Sequence, residues 1–283
     1  MKRFATLFAI GLIAAANLFA QGEDPKGLYK LQRLGYENGR PDHVPELVQY
    51  KFFSDYVPVT IMVMRNTPNE YIYVLKQDEP HPYTFTGDVA VGEDGKGTRI
   101  YDTDSNHVTL KWYNTIRPNE PGVFPMNEFI REYYDRSGFE QQMTRSIEML
   151  QMRHQQPGHR LAGCWSLVGN FKEVDGERML TSAPTDVYKI YGDTDVTCVF
   201  CRGDQIMGAT IMYRPMKYNE EPKQDEALVA GVSEGGSAGV IKWRNEDSFE
   251  MISMRPDETI SEELWKRATL PESLRKLFGT AAH

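Results

Sequence analysis

Between residues 28 and 116 the apolar side chains recur at every second position, in short runs separated by turn residues. Val48, Tyr50 and Phe52 alternate with Gln49, Lys51 and Phe53, the period of a half-buried strand. The same alternation predicts strands over 28–34, 47–53, 57–65, 70–77, 83–88, 97–102 and 107–116. Asn38-Gly39, Pro41 and Asn66-Thr67-Pro68-Asn69 supply the turns between them, and 92–97 is a Gly-rich tip. Evenly spaced short strands indicate an antiparallel barrel or sandwich.

The period then changes. Over 127–155 the residues Phe129, Ile130, Tyr133, Met143, Ile147, Leu150 and Met152 fall at roughly three-to-four spacing within two groups, which predicts one or two amphipathic helices with a break at Ser137-Gly138. Gln156-Pro157-Gly158 closes that stretch as a linker. Strand patterns return over 161–171, 185–191, 196–202, 205–214, 227–233, 238–244 and 248–254. Helices are predicted over 261–267 and 271–278, with Ser261 and Thr269 as N-caps and Pro271 in a first turn. The expected division is a leader over 1–20, a first domain over 21–156 and a second over 157–283.

Four landmarks recur in order. Gly27-Leu28-Tyr29 answers Gly163-Cys164-Trp165. Tyr50-Lys51 and Phe53 answer Tyr188-Lys189 and Tyr191. Arg117-Pro118 answers Arg255-Pro256, and 129–133 loosely answers 264–267. Together they predict one architecture written twice.

A Gly-x-Trp at the start of a first strand, many antiparallel strands, an Arg ending the last strand and a trailing helix resemble the lipocalin/calycin superfamily. Each half is similar to bacterial lipocalin-like domains of unknown function in exported proteins. The resemblance implies a mainly β fold of two tandem lipocalin-like antiparallel barrels, each followed by a helical segment. It also implies that an Arg from the last strand covers the aromatic ring that closes the barrel. The expected pairs are Trp165 with Arg255 and Tyr29 with Arg117, with Gly163 and Gly27 beginning their strands. Such a pair seals a barrel through cation–π attraction and carbonyl bonds, and performs no chemistry.

Composition narrows the setting. The chain has 283 residues and a formal net charge of −8, with no run of Lys and Arg, which argues against nucleic acid as a partner. Lys2 and Arg3 precede an apolar run over 4–16, and Leu18-Phe19-Ala20 offers a cleavage site. This is the pattern of a cleaved signal peptide, cut after Ala20. No Cys follows the run, so a lipid-modified N-terminus is not expected, and no later run is long enough to span a bilayer. The predicted location is periplasmic or secreted. Cys164, Cys198 and Cys201 read first as buried small side chains; a bridge from Cys164 to Cys198 or Cys201 is the alternative.

Catalytic patterns give little. No G-x-S-x-G, P-loop, H-E-x-x-H or dinucleotide fingerprint is read in the chain. The six histidines are scattered, and neither metal nor cofactor is expected. The Gly-rich segments 92–97 and 231–239 lie between strands and read as hairpin tips. Strand parity places Tyr50 with Phe52 and Tyr188 with Ile190, the candidate lining of a ligand pocket if those faces point inward. The resulting expectation is an exported non-catalytic protein binding a small hydrophobic or amphipathic ligand in a barrel. A structural or adaptor module of the envelope with filled barrels is the alternative, and a hydrolase or isomerase using a barrel mouth ranks behind both.

Overall fold

A computed structural model describes residues 25–54, 58–77, 99–101, 106–114, 124–152, 158–183, 185–202, 205–221, 229–254 and 258–278. The leader over 1–20, the strand expected over 83–88, the tip over 92–97, Arg117 and Arg255 lie outside them. The described chain packs as two compact units. One contains the residues up to Thr60 and those from 99 to Gly138; the other contains Ile61–Gln77 and everything from Phe139 onward. The grouping is therefore discontinuous in sequence, and the helix expected to close the first half packs with the second.

The first unit is an antiparallel sheet. Its strands are β1 (Gly27–Tyr36), β2 (Gln49–Phe53), β5 (Arg99–Tyr101), β6 (His107–Tyr113) and β7 (Phe129–Arg136), in the order β2-β1-β7-β6-β5. A β-bulge at Gln32 shifts the register of β1 against β7, so that Tyr29 and Leu31 before it and Leu34 after it reach one core. Phe53, Val108, Leu110, Ile130 and Tyr134 complete that core.

The second unit is built on a closed eight-stranded antiparallel barrel. Its strands are β8 (Gly163–Val174), β10 (Asp186–Tyr191), β11 (Asp195–Arg202), β12 (Gln205–Glu221), β13 (Val229–Glu234), β14 (Ser237–Asn245), β15 (Ser248–Met254) and β16 (Ile260–Arg267). The circuit runs β11-β10-β8-β16-β15-β14-β13-β12 and closes where β11 pairs with β12. Among the described residues, strand β9 (Glu177–Ser182) pairs only with β8. Helix α1 (Gln141–Gln151) packs on β10, β11 and β12 and against the short α2 (Glu272–Lys276), burying Met143, Ile147, Met149 and Leu150.

Two stretches expected to be helical are strands. Residues 129–136 form β7 and residues 260–267 form β16; among the described residues helix is confined to 141–151 and 272–276. The inward positions of these strands include Glu132, Ser261 and Glu263, and polar side chains on the core face erase the period of two.

A hairpin of β3 (Val59–Thr67) and β4 (Glu70–Gln77) completes the second unit. Strand β13 pairs with β12 only over Met216–Glu221, leaving the same edge of Ala209–Tyr213 to β4. Tyr71, Tyr73 and Leu75 are fully buried there. Glu70 accepts from the Arg214 Nε at 2.8 Å and also pairs with Arg65, and the Tyr73 hydroxyl donates to Ser146 of α1 at 3.0 Å. The ladder gives an expected result for native-state hydrogen exchange. Amides of residues 71–75 will share the protection of the barrel and keep it when Tyr29→Ala destabilises the first unit. Loss of protection at 71–75 together with β1 and β7 would contradict the grouping.

Candidate functional site

The repeated Gly-x-aromatic landmark has the same local structure in both units. Gly27 and Gly163 hold φ of +99° and +113°, values that favour glycine. A Cβ at Gly163 would also lie 3.0 Å from the Arg267 Nη1, and one at Gly27 would lie 3.4 Å from the Arg136 Nη2. Two residues on, Trp165 pairs with Arg267 across β8 and β16, and Tyr29 pairs with Arg136 across β1 and β7. The bulge falls three residues after each ring, at Val168 and at Gln32. Lys189 faces Trp165 from β10, and Lys51 faces Tyr29 from β2.

The expected partners Arg255 and Arg117 lie outside the described residues, and the arginines at the two rings are Arg267 and Arg136. The Arg267 guanidinium sits 4.2 Å from the Trp165 ring centre. It donates to the carbonyls of Ala162 at 3.2 Å and Arg160 at 3.4 Å. Trp165 itself donates to the Leu161 carbonyl at 2.7 Å. Arg136 lies 5.7 Å from the Tyr29 ring and donates to its hydroxyl at 3.4 Å. Both of these arginines end strands that read as helices from the sequence.

A second equivalence was not legible. In the barrel, Lys189 donates to both Glu234 oxygens at 2.8 and 2.9 Å, and Tyr191 donates to the same carboxylate at 2.6 Å. Lys189 also lies 5.1 Å from the Trp265 ring, whose Nε1 donates to Glu263 at 2.9 Å. In the first unit, Lys51 lies 3.9 Å from Glu132 and 5.8 Å from the Tyr134 ring, whose hydroxyl donates to Glu132 at 2.9 Å. Counting back from Arg136 and Arg267, Glu132 matches Glu263 and Tyr134 matches Trp265. Both lysines are buried. Burial, the largest single influence, would pull Lys189 below its ordinary pKa, but the surrounding acidic groups, Glu234 foremost and Glu263 with it, together hold the group above. Burial, then Glu234, pushes the Tyr191 phenol well up, so it remains a donor.

The Trp165 end of the barrel interior is filled by its own side chains. Trp165, Tyr191, Val196, Ile241, Phe249 and Trp265 are at most 1% exposed. The Trp165, Trp243 and Phe249 rings meet one another at 4.8–5.7 Å. The residues facing this interior on β10 are Val187, Lys189 and Tyr191. Tyr188 and Ile190, expected as pocket lining, therefore point out of the barrel. Tyr50 and Phe52 likewise lie on the face of β2 opposite Lys51 and Phe53, and both are buried.

A concave surface lies outside the barrel, beside its Trp165 end. A cleft of about 1000 Å³ is bounded by the start of β8, the end of β10, the segment after β16, and both helices. Ile190 lines it, with Met149, Leu150 and Met152 of α1, Cys164, Leu270, and the guanidiniums of Arg145, Arg267 and Arg275. Arg145 is held by Asp195 at 2.8 Å and Arg267 lies 3.6 Å from Asp247. Arg275 uses its Nε on the Leu270 carbonyl at 3.0 Å. A smaller cleft of about 580 Å³ shares Arg145 and is bordered by Asp195 and Tyr213.

The three cysteines are free thiols, so neither bridge considered from sequence forms. Cys198 faces the barrel core and Cys201 is buried on the opposite face. Burial pushes the thiols of Cys164 and Cys198 up to about 12, which keeps both protonated and poorly nucleophilic at neutral pH. His159 stacks on Tyr218 at 4.6 Å with its Nε2 3.1 Å from the Gly192 carbonyl. Against the expectation of no G-x-S-x-G, the pattern occurs twice by letter, at Gly231-Val232-Ser233-Glu234-Gly235 and at Gly235-Gly236-Ser237-Ala238-Gly239. Gly231 and Ser233 lie in β13, Gly235 and Gly236 form the β13–β14 hairpin tip, and Ser237 begins β14, whereas a nucleophile elbow needs a strand-to-helix turn. Among the described residues, no three His, Cys, Asp or Glu side chains are grouped to hold a metal, and no helix is long and apolar enough to cross a membrane. No family model matches this chain, and no curated protein matches it.

Proposed function

We propose that this is an exported, non-catalytic, lipocalin-like protein of two related halves that binds a small amphipathic ligand. The ligand site we assign is the cleft beside the Trp165 end of the second barrel. The observation that carries this reading is the contrast between an interior end filled by aromatic rings and an adjacent cleft of about 1000 Å³. That volume is at the upper end of those that enclose small ligands. The lipocalin likeness is supported by the closed eight-stranded barrel and by the Trp165–Arg267 pair. Export is inferred from the leader pattern over 1–20.

A non-catalytic role is supported by the chemistry of the groups at hand. Cys164, the thiol in the cleft, is held protonated. The buried carboxylate of Glu234 and the part-buried one of Glu263 are engaged by Lys189, Tyr191 and Trp265. Native mass spectrometry of the protein purified from its own envelope is expected to show a small-molecule adduct that denaturing solvent releases. Only bare polypeptide mass in repeated preparations would overturn the ligand reading. It would favour the second reading, an envelope scaffold or adaptor, which the packing of the barrel interior supports.

A further inference from the structure

Resting on that reading, we infer that the cleft takes a ligand with an anionic head, a carboxylate or a phosphate, held by Arg275 with Arg267 beside it. The charge of the lining is the first argument. Three guanidiniums and two carboxylates, Asp193 and Asp247, border the cleft; with Arg145 neutralised by Asp195, Arg267 and Arg275 are its remaining cations, in a chain whose net charge is −8. Cations on a concave surface focus the field on anions. Both aspartates are solvent-exposed, where ions and water screen them, and Asp247 is turned to Arg267.

The second argument is how the three guanidiniums are used. Arg145 is committed to Asp195 and Glu148. Arg267 spends one hydrogen of each Nη group on a backbone carbonyl and lies against the Trp165 ring. Arg275 is half-buried, and its Nε bond to Leu270 fixes the plane of the group. No carboxylate pairs with it among the described residues. Its two Nη groups are the fork that binds a carboxylate or phosphate bidentately. Beside them, part-exposed Met152 and Cys164 give an apolar part of the ligand a soft surface to rest on.

The test uses the full mature chain and titration calorimetry with four probes: decanoate, decyl phosphate, decanol and inorganic phosphate. At least one anionic amphiphile should bind about tenfold more tightly than decanol, about 1.4 kcal/mol, and its affinity should fall as salt rises. Decanoate against decyl phosphate tells which head is taken. Arg275→Gln should remove that preference while leaving decanol binding and thermal stability unchanged. Salt dependence in the unmodified protein keeps the test independent of the variant's folding. Decanol binding as tightly as the anions, or Arg275→Gln leaving anion binding intact, overturns the anionic head. Inorganic phosphate matching decyl phosphate overturns the apolar part. A neutral adduct in native mass spectrometry sinks this inference and leaves the ligand reading standing; bare polypeptide sinks both.

Discussion

Trp165→Ala is expected to cost the second unit about 3–5 kcal/mol, the range for removing a large buried aromatic side chain. The ring touches Trp243 and Phe249 and is wholly buried. Its loss would leave a void between rings that the barrel strands, fixed by their ladders, cannot close over. The indole also satisfies the Leu161 carbonyl, and Arg267 would lose the ring on which it lies. The corresponding fall in the melting temperature of this unit is about 6–20 °C at 2–4 °C per kcal/mol. Scanning calorimetry should show it in the transition of the second unit. Arg267→Met should lower the same transition by less, because the Ala162 and Arg160 carbonyls sit near solvent and water can replace the guanidinium. A Trp165→Ala protein that melts with the parent would mean that the ring does not plug the barrel.

How much of this was legible in the sequence follows from where polar side chains sit. Strands with clean alternation were read closely: β4 and β15 fall on 70–77 and 248–254 as expected. The paired rings and Tyr50-Lys51 against Tyr188-Lys189 were aligned correctly between the halves, and the ladders of β1–β2 and β8–β10 repeat that alignment residue for residue. Strands β7 and β16 were lost to helix because the core face carries Glu132 in one, and Ser261 and Glu263 in the other. A buried glutamate cannot be told from a solvated one until its lysine, 81 positions away for Glu132 and Lys51, is brought across the sheet. Strand β9 was missed for the opposite reason, since nearly all of its residues are exposed and no face is marked as apolar. Tyr188 and Ile190 were expected to line a pocket if their face pointed inward; it points outward, where Ile190 borders the cleft. Parity fixes which residues share a face but not which face is inside, and here the outer face of β10 is also covered, by α1. The cleft could not be read at all, because its residues come from five separate places in the chain.

The buried pair on the barrel wall yields the second large effect. Lys189→Met leaves Glu234 inside the barrel with only the Tyr191 hydroxyl for a partner, and an uncompensated buried charge costs about 3–5 kcal/mol. Replacing both groups, Lys189→Met with Glu234→Leu, removes the charges together and should recover most of that loss, since apolar replacement of a buried pair is often neutral or better. The pair also imposes a pH dependence whose sign is fixed. Lys189 titrates higher in the folded protein than in the unfolded chain, so the folded state holds the proton more tightly. Its contribution is complete below the unfolded value, about 10.4, and is lost as the pH rises through the raised folded value. Denaturant titrations from pH 7 to pH 11.5 should show an alkaline decline in the parent that is reduced in the double variant. Equal stability of Lys189→Met and the parent at pH 7 would show that the ammonium is not neutralising a buried carboxylate. Lys51, the match of Lys189, lies 3.9 Å from Glu132, whereas Lys189 lies 2.8 Å from Glu234, so Lys51→Met should cost the first unit less. The halves thus keep the same lysine in the same register and differ in the strand that supplies its carboxylate, β7 for Glu132 and β13 for Glu234.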